Sequence, residues 1–490
     1  MKRSLHLTLA AAALTTLAVF GPLSAAEPGA DRGQPPAPGP VRPLTLPAVQ
    51  RFALGNGLGV KLVESHGVPV ATVLLVVRGG AATDPAGREG LAAMTAAMLD
   101  EGAGGKDALA LDDAVTFLGA ELDTWTFWDS TAVSLKVPVA RLEPALSLMA
   151  DVVLRPDFSA KELDRLRREA LSRLLQARAE PGAIASRALA AAVFGSTHRY
   201  GKPVNGDAAS IAAFTPAALK AFHAEHYRPG NAFLVVTGDV VPAALTPLLE
   251  KAFGARAWPA GGGAPKPLPP PAQLKGRVVW LVDKPGAAQS VIRIGRVGPD
   301  RRSVDYFPAE MMNTLLGGSF TSRLNDNLRE KRGYTYGASS SFDYRLSGGQ
   351  FRAGADVQTK VTGEAMTEFL KELERIRTPA APQEVERART YMALRLPQDL
   401  ETTDQLAAEL ANQTLQSLPD DYLASYVEKT LAVTPEALQK AAREHVDTAK
   451  MAFVVVGDLA TIRKPLEALK LGPVRVLTVD EVMGPAPKTQ

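Results

Sequence analysis

Cysteine is absent from all 490 residues, which excludes disulfides, lipid attachment behind a signal sequence, thiol catalysis and any zinc site built on thiolates. Stability must therefore come from packing. Histidine is scarce, six in all, so each imidazole can be weighed singly as a metal ligand. The longest early apolar run, Leu7 to Phe20, is short for a membrane span of about 20 residues, and no later stretch without charge is longer. Neither charge sign dominates: without Met1–Ala26 there are 53 basic against 52 acidic side chains, which gives no field for nucleic acid or an anionic membrane. Gly-x-Ser-x-Gly elbows, catalytic acid pairs and phosphate loops are missing too.

What is present is ordinary globular material, 46% hydrophobic and 22% charged, long enough for more than one core. Lys2 and Arg3, the apolar run and Ser24-Ala25-Ala26 read as a secretory signal over residues 1–26, so a periplasmic or secreted location is expected. Residues 27–47 are a proline- and glycine-rich spacer that should be disordered, and residues 259–276, with their Pro-Pro-Pro run, are a semi-rigid linker. This leaves domains at 48–258 and 277–478 and a tail, 479–490, expected to fray. The two domains look like copies. Thr215 to Asp239 aligns without a gap to Thr434 to Asp458, with 10 of 25 positions identical. In both, Thr-Pro opens a helix, Glu-His closes it, and a Val-Val run followed by Gly-Asp makes a buried strand and turn. Strands are expected at Gly59 to Glu64, Val70 to Val77, Arg277 to Val282 and Ser290 to Gly295, with long helices at Ala160 to Ala179 and Thr362 to Arg377. The fold class is α+β, each domain a sheet covered by helices.

The densest stretch is Leu316 to Phe342, LGGSFTSRLNDNLREKRGYTYGASSSF. Ser322 is placed to cap a helix over Arg323 to Arg332, Gly333 sits where a left-handed residue ends one, and a strand should follow. Alternation puts Tyr336, Ala338, Ser340 and Phe342 on one face of that strand, so Arg329 and Tyr336 should approach the same space across the corner.

These residues resemble the second homologous domain of the insulinase/pitrilysin family of zinc metallopeptidases, which includes the mitochondrial processing peptidase. The family pattern LGGxxxSRLxxxLRExxGxxY stands here as Leu316, Gly317, Gly318, Ser322, Arg323, Leu324, Leu328, Arg329, Glu330, Gly333 and Tyr336. The resemblance implies that Arg329 and Tyr336 bind the substrate backbone beside the scissile carbonyl, with Gly317 and Gly318 as further substrate-binding positions. Active members also carry His-x-x-Glu-His on a helix in the first domain and a third ligand, Glu, further on. Here the helix Gly90 to Leu99 puts Ala93 and Ala97 at the histidines and Ala96 at the base, and Arg173 falls at the third ligand. No metal ligand of the motif survives. Alanine keeps the helix while removing the chemistry.

His223 and His226 share a face with Glu225 between them, but the second copy has Ala442 and His445 there, which points to a helix-end role. His198 lies in a loop common in the family and reads as structural, and His66 is isolated. Trp125 and Trp128, three apart on a strand, either present an aromatic surface to a peptide or subunit or pack in the ordinary way. The resemblance implies a non-catalytic subunit of a bacterial heteromeric peptidase: this chain binds peptide substrates and no metal, and a zinc-bearing partner subunit supplies the metal. The alternatives are a scaffold or peptide-binding protein of the same fold and, with least support, an independent hydrolase.

Overall fold

The computed structural model describes residues 47–487; the signal-like segment, the spacer up to residue 46 and residues 488–490 lie outside the described residues. Two six-stranded mixed sheets form its frame. The first contains β1 (Gln50–Ala53), β2 (Gly59–Glu64), β3 (Val70–Arg78), β4 (Glu121–Thr126), β5 (Ser130–Pro138) and β6 (Ala232–Gly238), in the order β1-β2-β6-β3-β5-β4. The second contains β7 (Val278–Asp283), β8 (Gln289–Val297), β9 (Thr335–Asp343), β10 (Gln350–Gln358), β11 (Ala452–Gly457) and β12 (Val474–Leu477), in the order β9-β10-β8-β11-β7-β12. Read from opposite edges the two orders match, except that β1 comes from the start of the chain and β12 from its end. The central strands β3, β6 and β11 are buried along nearly their whole length, as apolar runs covered on both faces must be.

One face of the first sheet is covered by α1 (Leu91–Ala97), α2 (Leu142–Leu154) and α5 (Pro216–His226), around a core that includes Leu75, Leu135, Leu146 and Leu219. The helix α3 (Ala160–Ala179) runs into Glu180 and then α4 (Pro181–Phe194), where proline at the first helical turn restarts the helix. The second sheet is covered likewise by α6 (Tyr306–Asn313), α7 (Thr362–Arg375) and α9 (Pro435–His445), around Ile292, Phe351, Phe369 and Leu438. The Thr-Pro starts of the repeat cap their helices identically: Ala218 N–H donates to Thr215 Oγ1 and Ala437 N–H to Thr434 Oγ1, each at 3.2 Å.

The other faces are covered by exchange, which the sequence did not reveal. Ile184, Leu189 and Val193 of α4 pack against Val291, Val454 and Val456 of the second sheet. In return α8 (Thr403–Leu415) lies across β3 and β6 of the first. There Thr237 Oγ1 donates to the Thr403 carbonyl at 2.8 Å, Thr72 Oγ1 to Asp404 at 2.6 Å and Lys136 Nζ to the same carboxylate at 2.6 Å. Each half thus completes the other's core, so neither sheet can be stripped bare without unpacking both. Residues 259–276 hold no regular element but are tied down: His198 Nε2 meets the Pro269 carbonyl at 2.9 Å, and Gln273 donates to the Val297 carbonyl at 2.8 Å.

The expected loose tail is corrected in part. Val479–Met483 forms a helix, α10, with a capping box between Thr478 and Glu481. Its Val482 is buried in the α4 cluster, and Arg178 reaches both Asp480 and the Gly484 carbonyl. An apolar i, i+3/i+4 contact on an already formed surface is enough to order so short a segment.

Candidate functional site

The helix α6 ends in a π-type turn, Thr314–Gly318, and a short α-turn, Arg323–Asn325, continues into a second, Asp326–Lys331. Such turns insert one residue into the helical spiral and recur at functional sites. Ser322 occupies the cap position with extended backbone, but its hydroxyl makes no cap bond, a departure from expectation; the Asp326 N–H bonds to the Ser322 carbonyl instead, at 2.9 Å. Gly333 closes the helix at φ 65°, and Tyr334 N–H reaches back to the Leu328 carbonyl at 2.9 Å. Three side chains lock this corner. Arg323 grips Glu384 through two bonds of 2.9 and 2.7 Å and holds its carboxyl down to about 2. Asn327 donates to both Glu368 and Glu372 at 2.8 Å. Asn325 donates to the Phe320 carbonyl at 2.7 Å and accepts the Ala338 N–H at 3.3 Å, joining loop, helix and strand.

Gly317 is buried against β9: a β-carbon there would lie 2.3 Å from Ser340 N. At Gly318 it would lie 2.8 Å from Asn313 Nδ2. Packing against the strand therefore requires glycine at the first position, and the close approach of Asn313 at the end of α6 favours it at the second, where the resemblance suggested substrate contact.

Tyr336 departs from its expected face. The register of β9 against β10 shifts between Thr335 and Ala338, and this bulge breaks the alternation. Ala338 and Ser340 turn into the core while Tyr336 is 91% exposed. A tyrosine that merely packed in the sheet would be covered. Arg329 lies on the last turn of the corner helix, its guanidinium 4.5 Å from the centroid of the Phe320 ring and its Nε 3.3 Å from Glu330. No hydrogen bond joins Arg329 to Tyr336 among the described residues.

The positions of the zinc motif do converge. Ala93 and Ala97 on α1 and Arg173 on α3 line one cavity of about 400 Å³, floored by Met94, Leu166 and Ala170. The helix is kept in place by Asp84, whose carboxylate accepts N–H bonds from Gly90 and Ala92 at 2.7 and 2.8 Å and pairs with Arg199 at 2.6 Å. Ala96 is buried, its carbonyl accepting from Thr124 at 2.9 Å. Two methyl groups offer no lone pair and the exposed Arg173 guanidinium, 3.7 Å from Glu169, carries the wrong charge; this donor set does not fit zinc.

The histidines serve the fold. His223 Nε2 meets the Val153 carbonyl at 2.8 Å, His226 packs on Phe222 at 4.2 Å between centroids, and burial pushes both imidazoles down, keeping them neutral. His66, isolated in sequence, sits between Asp239 and Glu64, which raise its pKa through hydrogen bonding. His445 pairs with Asp305; with Glu444 they bring ligand-type atoms within 4.8 Å of one another, but Arg296, donating to the Glu444 carbonyl at 2.8 Å, places a guanidinium beside the group. Both tryptophans are half-buried and, with the exposed Phe127, line one cleft of about 340 Å³; Trp128 is in addition stacked by Arg345 at 4.4 Å and met by Tyr200 at 5.2 Å.

The family described as "Insulinase (Peptidase family M16)" matches residues 60–206, and "Peptidase M16 inactive domain" matches residues 213–392. The chain belongs to the insulinase-type M16 family. The first M16 match holds α1 and its alanines, the second the Arg329 and Tyr336 corner. An uncharacterized zinc protease of Mycobacterium leprae is 28% identical over 295 residues, covering 60% of this chain and 66% of that protein, just under two thirds. One from Mycobacterium tuberculosis is 27% identical over 348 residues, covering 68% and 79%. A crystal structure of a peptidase M16 inactive domain from Pseudomonas fluorescens superimposes with a TM-score of 0.78 at 28% identity, over 84% of this chain and 98% of that one. A protease from Helicobacter pylori shares the fold, with the same TM-score at 21% identity, over 84% of this chain and 100% of that one.

Sequence reasoning missed a groove of about 680 Å³ on the outer face of β8, β9 and β10, which Tyr336 borders. Its polar wall, Gln350, Arg352 and Asp356 on alternate residues of β10, was visible in the sequence as a period of two; what the sequence lacked was that this face stays uncovered.

Proposed function

We propose that the chain is the non-catalytic subunit of a heteromeric zinc metallopeptidase acting outside the cytoplasm. The observation that carries this reading is a contrast. The M16 metal positions hold Ala93, Ala97 and Arg173, while the second-domain corner keeps Arg329 and presents Tyr336 to solvent. A partner subunit would bring the metal and its base. This chain's residues would hold the peptide: an extended segment adds to an open sheet edge, of which β4 and β9 are the nearest to the two halves of the site. The Tyr336 hydroxyl would donate to the oxygen that gains charge as the scissile carbonyl is attacked, and Arg329 would hold a neighbouring carbonyl.

A peptide-binding scaffold of the same fold is the second reading, and one observation favours it: Arg329 is already engaged by Phe320 and Glu330. Mixing separates the two. Combined with a zinc-bearing M16 relative from the same source, the chain is expected to form a stable complex on sizing chromatography and to give peptide cleavage that neither chain shows alone. A stable complex without added cleavage favours the scaffold; two monomers with unchanged activities refute the subunit reading.

A further inference from the structure

On the second sheet, side chains alternate between the core and the opposite face. Phe351, Ala353, Ala355 and Val357 of β10 point into the core, so Gln350, Arg352, Gly354 and Asp356 point away from it. The exchanged helix α4 covers β8 and β11 on that face and stops short of β9, leaving the groove of about 680 Å³. Its charges do not cancel. Asp356 is taken by Arg293 at 2.9 Å and Asp343 by Arg345 at 2.6 Å. Arg352 gives Nε to Ser341 Oγ at 2.9 Å and has no carboxylate partner among the described residues. Three guanidinium groups thus face two carboxylates.

The hydrogen bonds do not close either. Arg345 and Gln350, 5% and 6% exposed, both line the groove, and Arg345 Nη1 and Gln350 Nε2 have no acceptor among the described residues. Both atoms are donors only, and an unmet buried donor costs about 1–3 kcal/mol. A ligand that relieves them must bring acceptors, and one that also balances Arg352 must bring a single negative charge. The corresponding place on the first sheet, beside α8, is lined by Leu74, Val76, Trp125 and Ala132 together with Asp129 and Gln416, and it shares Asp343 and Arg345 with the groove. Of the two, this groove alone holds Gln350, Arg352 and Asp356.

We propose that this groove is a subsite for one carboxylate of a bound peptide, either an Asp or Glu side chain or the free C-terminus. The proposal rests on the peptide-handling reading and adds the class of substrate: segments carrying an acidic group within reach of the Tyr336 corner.

Direct binding to the full chain tests it without a partner enzyme. Unlabelled ten-residue peptides, N-acetylated and otherwise uncharged, carry either Glu or Gln at the centre, each with a free or an amidated C-terminus, and titration calorimetry gives Kd. At low salt a carboxylate peptide is expected to bind about tenfold tighter than the Gln, amidated one, and the gap should shrink as ionic strength rises. Preference for central Glu assigns the site to a side chain; preference for the free terminus assigns it to the chain end. Arg352→Gln, at an exposed position, should erase the preference while leaving Kd for the Gln, amidated peptide and the unfolding midpoint unchanged, and Arg352→Lys should restore part of it. Equal binding of all four peptides overturns the carboxylate subsite and leaves the peptide reading standing. Binding of none overturns both, and a preference that survives Arg352→Gln places the carboxylate elsewhere and overturns this assignment.

Discussion

Gly317→Ala isolates what the LGG entry does. The new methyl would lie 2.3 Å from Ser340 N, 2.6 Å from Ser340 Oγ and 2.8 Å from Ser339 C, distances no carbon tolerates against backbone. Because Ser340 belongs to the edge strand β9, relief requires moving that strand, and its pairing with β10 through Ser340 and Ala353 resists the movement. Overpacking of this kind costs about 1–3 kcal/mol, and the rigid backbone partner puts this case near the upper end. Gly318→Ala meets Asn313 Nδ2 at 2.8 Å, a side-chain end that can rotate, as well as its carbonyl at 3.0 Å, so about 1–2 kcal/mol is expected. Gly337→Ala on the same strand finds only Asn325 Oδ1 at 3.9 Å and should stay within about 0.5 kcal/mol of wild type. Urea unfolding followed by far-ultraviolet dichroism and tryptophan fluorescence gives the series. The two probes should report one transition, since α4 and α8 knit the halves together. If Gly317→Ala unfolds at the same urea concentration as Gly337→Ala, the close approach of loop and strand is not what demands glycine, and a substrate role for Gly317 regains its standing.

Three further outcomes are expected. In a reconstituted peptidase, Tyr336→Phe should lower kcat about 10²-fold with no change in unfolding midpoint, because the side chain is exposed, and Arg329→Ala should also raise KM; wild-type rates for both would make the corner structural. Elemental analysis of the purified chain should find no stoichiometric zinc, and one zinc per chain lost on replacing His223 and His226 would overturn the reading of both sites. The Glu384 carboxyl, held at about 2 against an ordinary 4.5 chiefly by its bond to Arg323, contributes stability that is full above pH 4.5 and lost as pH falls toward 2. Arg323→Met should therefore flatten the fall in stability between pH 5 and 3, and an acid profile identical to wild type would refute the coupling.

Much of this protein was determined by the sequence alone, wherever the determining physics is local. Helix starts at Thr215-Pro216 and Thr434-Pro435, the buried Val-Val strands and the helix closed by Gly333 follow from residue types a few positions apart, and all stand where expected. That residues 93, 97 and 173 are two alanines and an arginine is likewise a matter of identity, and the structure only brought those positions to one cavity. Tertiary structure decided what depends on residues distant in sequence. Which sheet α4 and α8 cover is set by apolar faces that fit either half equally in one dimension, and only the paired register of β9 and β10 places the bulge that turns Tyr336 outward. The groove beside it exists because α4 ends its contact one strand too early to shield Arg352. A period of two can say that a face is polar, but whether another element lies over that face is settled by the competition of all helices for the same apolar surface, and that competition has no local signature.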